Sequence, residues 1–342
     1  MIKYDIVGSF LPPADMDTAS VDSAVADLVE QEIEAGLTAV TSGEFRRKTW
    51  DLDFYVGLGG ISFERVDAGR IYQPYETFTD ILRLSRPVVY NPEHPFFSDF
   101  EYLREATAGR AACRQTLPSP ADLYLQFLSL DVPVGDDLAQ EIALAYRLTI
   151  ERFYDLGCRS VLLDDTAFGR LADPEMQKEL VQGGVNVIEL QNILVSIVND
   201  SLAGLPADLE KCIYLSAGTV VVPEWRQSRE PDNILPRVFG GLDVDVFYLP
   251  FEPDRRADLE VLRMVPEGKR VVLGLLDAHT PFPDDVEDIR KCVEIAGGII
   301  PEHLLSVSHR SGFKVGSHAL RGLLYEDQWR KLDELKRFAS SL

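Results

Sequence analysis

The sequence predicts an α/β protein: a closed (β/α)8 TIM barrel with a β-rich insertion after the second strand. Three observations predict it. Short apolar runs bounded by turn residues recur about eight times along the 342 residues and alternate with amphipathic stretches at helical spacing. Most runs end in a polar or acidic residue, at the strand end where parallel α/β folds place their ligands. No G-x-G-x-x-G follows the first run, so the doubly wound dinucleotide-binding sheet loses its usual support.

In chain order, Asp5-Ile-Val-Gly-Ser9 is the first expected strand. Val21 to Ala35 follows as an amphipathic helix, with Val21, Val25, Leu28, Val29 and Ile33 on one face and Gly36 as C-cap. Thr38-Ala-Val-Thr41 is the second strand and leads into Ser42-Gly-Glu-Phe-Arg-Arg47, completing a βαβ unit. Residues 50–115 break the rhythm. They are rich in aromatic and turn residues (Trp50, Phe54, Tyr55, Tyr72, Tyr75, Phe78) and read as an inserted excursion of strands and loops over the site. Gln115-Thr-Leu-Pro-Ser-Pro120 holds the third strand and its loop, and Asp136 to Asp155 is a long helix. Cys158 to Thr166 is the fourth strand. Asp173 to Ser201 is largely helical, with Asp173 as N-cap, Pro174 at the first helical position and an interruption at Gly183-Gly184. The remaining strands are Lys211–Ser216, Val244–Leu249, Arg270–Leu276 and Leu304–Ser308. One domain spanning 1–342 is the expectation.

Composition narrows the function. The formal charge is −22, from 34 basic and 56 acidic residues. Nucleic acid is an unsuitable partner, because phosphate backbones are held mainly by Lys and Arg. No apolar run reaches the ~18 residues of a membrane span, and the N-terminus lacks a signal-peptide pattern, so a cytoplasmic protein acting on a small molecule is expected. A homo-oligomer is compatible with this composition. Cys113, Cys158, Cys212 and Cys292 lie far apart, with no Cys-x-x-Cys or His-x-Cys, and read as buried reduced thiols.

In a barrel the C-terminal strand ends converge on one mouth. That gathers Ser9, Glu44 with Arg46 and Arg47, Ser119, Asp164 and Asp165, Tyr214 and Ser216, Glu252, Asp277, and His309 with Ser311. A basic pair facing an acidic set suits a substrate carrying both an anion and an amine. Polar residues after strands are also ordinary helix caps. Asp164-Asp165 stands apart, because two carboxylates at one buried strand end cost energy unless something binds them.

At these same residues the chain resembles a known family. Val40-Thr-Ser-Gly-Glu-Phe-Arg-Arg47 with Trp50 and Leu52-Asp-Phe54, Pro118-Ser-Pro120, Cys158-Arg-Ser-Val-Leu-Leu-Asp-Asp-Thr166, Val271-Val-Leu-Gly-Leu275 and Glu326-Asp-Gln-Trp329 resemble the cobalamin-independent methionine synthases, and most closely their short single-barrel members. In that family zinc holds the substrate thiol as thiolate and methyltetrahydrofolate supplies the methyl group. The ligands are a His-x-Cys after the fifth strand, a Glu after the sixth and a Cys after the eighth. The matching positions here are Tyr214, Ser216, Pro250 and Ser311. These bind zinc poorly or not at all, so no metal and no resident cofactor is expected. A substitute set from Glu252, Asp254, His309 or His318 lacks metal-ligand spacing.

The resemblance also implies roles for the residues that remain. The aspartate matching Asp164 or Asp165 holds a substrate amino group. Ser9 and Glu44 line the same pocket, and Trp50 with Arg46 and Arg47 lies on the pterin and anion side. Tyr214, Ser216 and Ser311 place hydroxyls where the family places zinc ligands, with Tyr214 as a candidate general acid. The expected function is that of a methionine-synthase-like enzyme on a small amino acid or carboxylate, a divergent methyltransferase or a metal-free lyase, using Asp164, Asp165, Tyr214 and His309. Methyltetrahydrofolate is a candidate co-substrate. Two alternatives stand beside it: a ligand-binding homologue without catalysis, and a folate-dependent homocysteine methyltransferase with an unrecognised zinc site.

Overall fold

The apolar runs pair in parallel, and their order follows the chain. The computed structural model describes residues 2–67, 78–129, 137–216, 235–314 and 322–342. Strands β1 (Lys3–Tyr4), β2 (Ala39–Val40), β5 (Ala112–Pro118), β6 (Ser160–Asp165), β7 (Glu210–Leu215), β8 (Val246–Pro250), β9 (Arg270–Leu276) and β10 (Leu305–His309) form one sheet in the order β1-β10-β9-β8-β7-β6-β5-β2. The two ends of that order meet at the mouth. Ser9 and Gly43 form a parallel bridge, and the Phe10 N–H donates to the Gly43 carbonyl at 3.1 Å. The curled sheet, surrounded by helices, has the TIM-barrel arrangement that the βα rhythm predicts. Strands β3 (Gly59–Asp67) and β4 (Phe78–Val89) pair separately as an antiparallel hairpin.

The helices are α1 (Val21–Ala35), α2 (Leu52–Tyr55), α3 (Pro95–Thr107), α4 (Pro120–Ser129), α5 (Leu138–Asp155), α6 (Ala167–Leu171), α7 (Pro174–Gln182), α8 (Val187–Leu202), α9 (Leu235–Gly241), α10 (Val286–Gly297) and α11 (Tyr325–Ser341). Helix α1 has the bounds read from its apolar stripe, and Gly36 caps it at φ 83°. Asp173 caps α7 by accepting from Glu175 N–H, and the chain breaks at Gly183-Gly184 before Asn186 caps α8. No single described helix is long and apolar enough to cross a membrane; α7 and α8 pass that test only as a pair bent by 109°.

Four differences from expectation have physical causes. The first ladder ends at Tyr4 rather than running through Asp5–Ser9, because the Asp5 carboxylate turns inward to Arg114. The third strand begins at Ala112, earlier than Gln115. The aromatic region 50–115 is not all insertion: α3 packs against α1 and β5 in the helical layer. Its Phe97 and Phe100 meet Phe153 of α5 edge-on at 5.0 and 5.6 Å, so these aromatics are core rather than lid. Helix α4 was missed; its fully buried Ala121, Leu123, Leu125 and Phe127 alternate along the chain, a spacing of two that does not mark a helix. Tyr72, Tyr75, Asp136, Ala217, Gly218 and His318 lie outside the described residues.

Alternation along the strands divides the core in two. Odd positions such as Val161 and Leu163 join the large cluster under the helices. Val7, Leu162, Cys212, Tyr214, Val246, Tyr248 and Val272 form a smaller cluster inside the barrel. All four cysteines are buried and unpaired. Beneath this inner layer lies an ionic floor. Arg114 donates to both Asp5 oxygens at 2.9 and 3.0 Å and to Ser160 Oγ at 3.0 Å, while the Tyr248 hydroxyl donates to Asp5 Oδ2 at 2.7 Å. Above it the barrel opens into a cavity.

Candidate functional site

The cavity at the C-terminal mouth has a volume of about 360 Å³. Ser9, Glu44, Trp50, Asp164, Tyr214, Ser216 and Ser311 line it, together with residues that sequence reasoning did not single out: Asp51, Thr116, Gln126, Thr166, Arg170, His279 and Lys314. Strand order separates two walls. Glu44 in the loop after β2, Thr116 in β5 and Asp164 in β6 come from neighbouring strands; Tyr214 in β7, with His279 and Ser311 in the loops after β9 and β10, forms the other wall.

On the acidic wall, Glu44 sits at φ 61°, a left-handed conformation costly for a residue with a Cβ. The surrounding bonds hold it there. Thr116 Oγ1 donates to Glu44 Oε1 at 2.7 Å, and Arg47 NH1 donates to the same oxygen at 2.9 Å. Asp164 is different. Its carbonyl accepts from Ser119 N–H at 2.7 Å, but no described residue donates a hydrogen bond to its carboxylate. Burial pushes its pKa well above the usual carboxylate range, and the nearby Glu44, Asp165 and Asp51 push it further.

Asp165 does not share that position. Adjacent strand residues point to opposite faces, so Asp164 faces the cavity in phase with Leu162, and Asp165 faces the helices in phase with Leu163. Asp165 accepts from Phe168 N–H at 3.0 Å, while its Oδ2 is buried without a partner. Burial raises its pKa to about 6. Asp122 of α4 lies beside it and accepts from the Thr166 hydroxyl and N–H at 2.6 and 2.8 Å. Burial and the Asp165 charge push Asp122 up as well. Ser119 is fully buried in this layer. Asp165 and Ser119 therefore support the wall from behind.

On the opposite wall, Ser311 Oγ lies 3.0 Å from His279 Nε2, and each also reaches the Gly312 carbonyl, at 3.0 and 3.2 Å. The His279 backbone N–H donates to Asp277 Oδ1 at 2.7 Å. The Tyr214 hydroxyl donates to the Arg310 carbonyl at 2.7 Å, and burial raises its pKa, which makes it a weak acid as arranged. Lys314 closes the mouth by donating to the Glu44 and Arg47 carbonyls at 2.9 and 2.8 Å. Gly312 is required by close approach, since a Cβ there would stand 1.9 Å from Ser9 Oγ.

Besides Asp165 and Ser119, four further expected site residues are not brought to the cavity. Arg46 points outward to Asp22 and Asp99 and stacks on Tyr102, because those partners stand on α1 and α3. Arg47 is buried in the wall, donating to Glu44 and to the Thr116 carbonyl with its guanidinium 4.5 Å from the Phe96 ring. Glu252 pairs with Arg310 outside the lining. His309 turns into the helical layer, 4.8 Å from the Phe313 ring; neither ring nitrogen has a partner. Burial and the Lys331 charge lower its pKa to about 3, so it stays neutral. A histidine at a strand end carries no sequence signal of which side it faces. His279, two residues past the Asp277 that ends the seventh strand, was within reach of the same reasoning.

Tyr214, Ser216, Pro250 and Ser311 offer a phenol, a hydroxyl, a proline ring and a second hydroxyl. Among the described residues no group of three or more His, Cys, Asp or Glu is placed to hold a metal ion.

A comparison with protein-family models finds no match. The uncharacterised Bacillus subtilis protein YxjG is 28% identical over 319 residues, which span 92% of this chain and 83% of that protein. Among solved structures, a candidate vitamin-B12 independent methionine synthase from Listeria monocytogenes superposes with a TM-score of 0.75 at 26% identity, covering 100% of this chain and 98% of the other. A B12-independent methionine synthase from Shewanella, solved with selenomethionine, superposes at 0.71 with 16% identity and the same coverage. The chain's structural neighbours are thus methionine-synthase-like barrel proteins.

Proposed function

We propose that this methionine-synthase-like barrel is an enzyme that binds a small amino acid through Asp164 and acts on it by acid–base chemistry, without the family's zinc. One observation carries the reading: a carboxylate with no hydrogen-bond donor among the described residues lines the cavity, and a hydroxyl–imidazole pair occupies the opposite wall. A buried carboxylate with a raised pKa gains most from a cation, and an ammonium supplies one with up to three donors. The selenomethionine in the Shewanella relative supports an amino acid of methionine type as the ligand.

The donor set supports a metal-free mechanism. Tyr214, Ser216, Pro250 and Ser311 include no thiolate or imidazole, and the described Tyr214 and Ser311 oxygens already bond to protein groups. In the tautomer that accepts from Ser311, His279 Nε2 can take the proton of a substrate thiol or hydroxyl placed beside Ser311. The resulting anion attacks the carbon being transferred, and the imidazolium returns its proton to the departing group. Methyltetrahydrofolate is the first methyl donor to try. Elimination from the amino acid is the corresponding lyase reaction.

The test is turnover of purified enzyme with L-homocysteine and methyltetrahydrofolate, and separately with L-methionine alone, each with zinc or a chelator. Turnover indifferent to both, lost in His279→Asn and Ser311→Ala while L-methionine still binds, is the expected result. Tight stoichiometric zinc on which activity depends would overturn it.

A further inference from the structure

The basic side chains named above are all accounted for, and none of them is free in the cavity. Arg46 is spent on Asp22 and Asp99, Arg47 on Glu44 and the Thr116 carbonyl, Lys314 on two carbonyls, and Arg310 on Glu252 and Asp277. Arg170 is the exception. It lines the cavity from α6, is half-buried, and its guanidinium neither hydrogen-bonds, pairs nor stacks with any described residue. Its charge acts on Asp165 and lowers that carboxyl's pKa, but no hydrogen bond or ion pair joins the two, and Asp165 Oδ2 is buried without a hydrogen bond. A guanidinium has five donors in a planar fork. In a chain with 56 acidic and 34 basic residues, leaving that fork unpaired beside a cavity gives up interactions that nearby carboxylates readily supply elsewhere.

We propose that Arg170 is the anion-binding residue of this cavity and that its ligand is an organic carboxylate, held by the guanidinium fork at the α4–α6 side of the mouth. Gln126 and Trp50 line the same cavity, and Gln126 Nε2 is already fixed on Asp51 Oδ2 at 3.2 Å, so the surroundings of the fork are set by the fold rather than by the ligand. The carboxylate has two sources: the amino acid's own α-carboxylate, or a second, acidic co-substrate. This assignment deepens the reading that Asp164 holds an ammonium, because it places an acceptor and a donor for opposite charges in one cavity. It predicts that molecules carrying a carboxylate bind and that their esters or amides do not.

Calorimetric titration of the full chain tests it, with glutarate and L-methionine as probes, on wild type, Arg170→Met, Arg170→Lys and Asp164→Asn. The Arg170 guanidinium makes no hydrogen bond or ion pair with a described residue, so its replacement by Met removes charge while leaving the backbone bonds of α6 in place. Glutarate affinity should fall at least about tenfold in Arg170→Met, recover in part in Arg170→Lys, and hold or improve in Asp164→Asn. If L-methionine weakens in Arg170→Met and competes with glutarate, the fork holds the amino acid's own carboxylate. If both probes bind together, it holds a co-substrate's. Unchanged glutarate binding in Arg170→Met, or none by wild type in the millimolar range, overturns the proposal. Loss of the Asp164 reading appears separately, as L-methionine binding that Asp164→Asn leaves intact.

Discussion

Replacing Asp164 with asparagine should move ligand binding and protein stability in opposite directions. Asparagine keeps the shape and one acceptor oxygen but loses the charge. Removing one partner of a desolvated, hydrogen-bonded charge pair costs about 2–4 kcal/mol, which is roughly a 30- to 700-fold loss of affinity for L-methionine. Stability should rise. The folded-state pKa of Asp164 lies above the unfolded value of 3.8, so between the two the folded chain binds more protons and stability falls as pH rises. Above that window wild type carries a penalty that the variant lacks, and relief of such a strained site gives about 0.5–2 kcal/mol. At about 2.1 cal/mol/K of unfolding entropy per residue, 342 residues give about 0.7 kcal/mol/K, so each 1 kcal/mol shifts Tm by about 1.4 °C. Calorimetric titration at several pH values and thermal scans at pH 8 are the assays. Wild-type affinity should weaken as pH falls through the raised pKa, with one proton released per ligand bound, and the variant should show neither effect. Unchanged affinity together with a lowered Tm would refute the assignment of Asp164 to an ammonium.

Three further outcomes follow from the same geometry. Asp5→Asn leaves Arg114, with its side chain 2% exposed, short of its bidentate partner and should destabilise by about 3 kcal/mol in chemical denaturation; a loss under about 1 kcal/mol would mean that Glu210, 3.5 Å away, suffices. His94 accepts from Phe96 N–H through Nδ1 and meets the Phe54 carbonyl through Nε2, and burial lowers its pKa to about 4. Stability should therefore fall as pH drops from 6.5 toward 4, by up to about 1.4 kcal/mol per pH unit from this group, and His94→Asn should remove that slope; equal slopes in both proteins would contradict it. Gly312→Ala should cost about 1–3 kcal/mol and reduce ligand binding by forcing Ser9 aside. Adding Ser9→Gly should recover part of that stability, and a double-mutant cycle with no coupling would place the strain elsewhere.

The βα rhythm was legible because it is local. Apolar runs of strand length, a helical stripe from Val21 to Ala35 and caps at Gly36 and Asp173 depend on neighbours a few residues away. The missed helix α4 and the misread α3 share one cause: both bury residues that periodicity alone assigns to neither state, and their packing against α1, α5 and α8 is long-range. The mouth of the barrel was legible for the same local reason, since strand ends are marked by their terminal polar residues.

Which of those polar residues enter the cavity was a tertiary decision. Asp164 and Asp165 had to face opposite sides by strand geometry, yet only closure of the sheet made the Leu162 side the interior. Arg46 and Arg47 were drawn away by carboxylates and a carbonyl that approach from α1, α3, the β2 loop and β5, and His309 by the packing of α11. Arg170 keeps its place at the cavity because, among the described residues, none accepts from its guanidinium. A side chain's chemistry is written in the sequence, but whether it is spent inside the protein or left for a ligand depends on which distant groups the fold brings within about 3 Å.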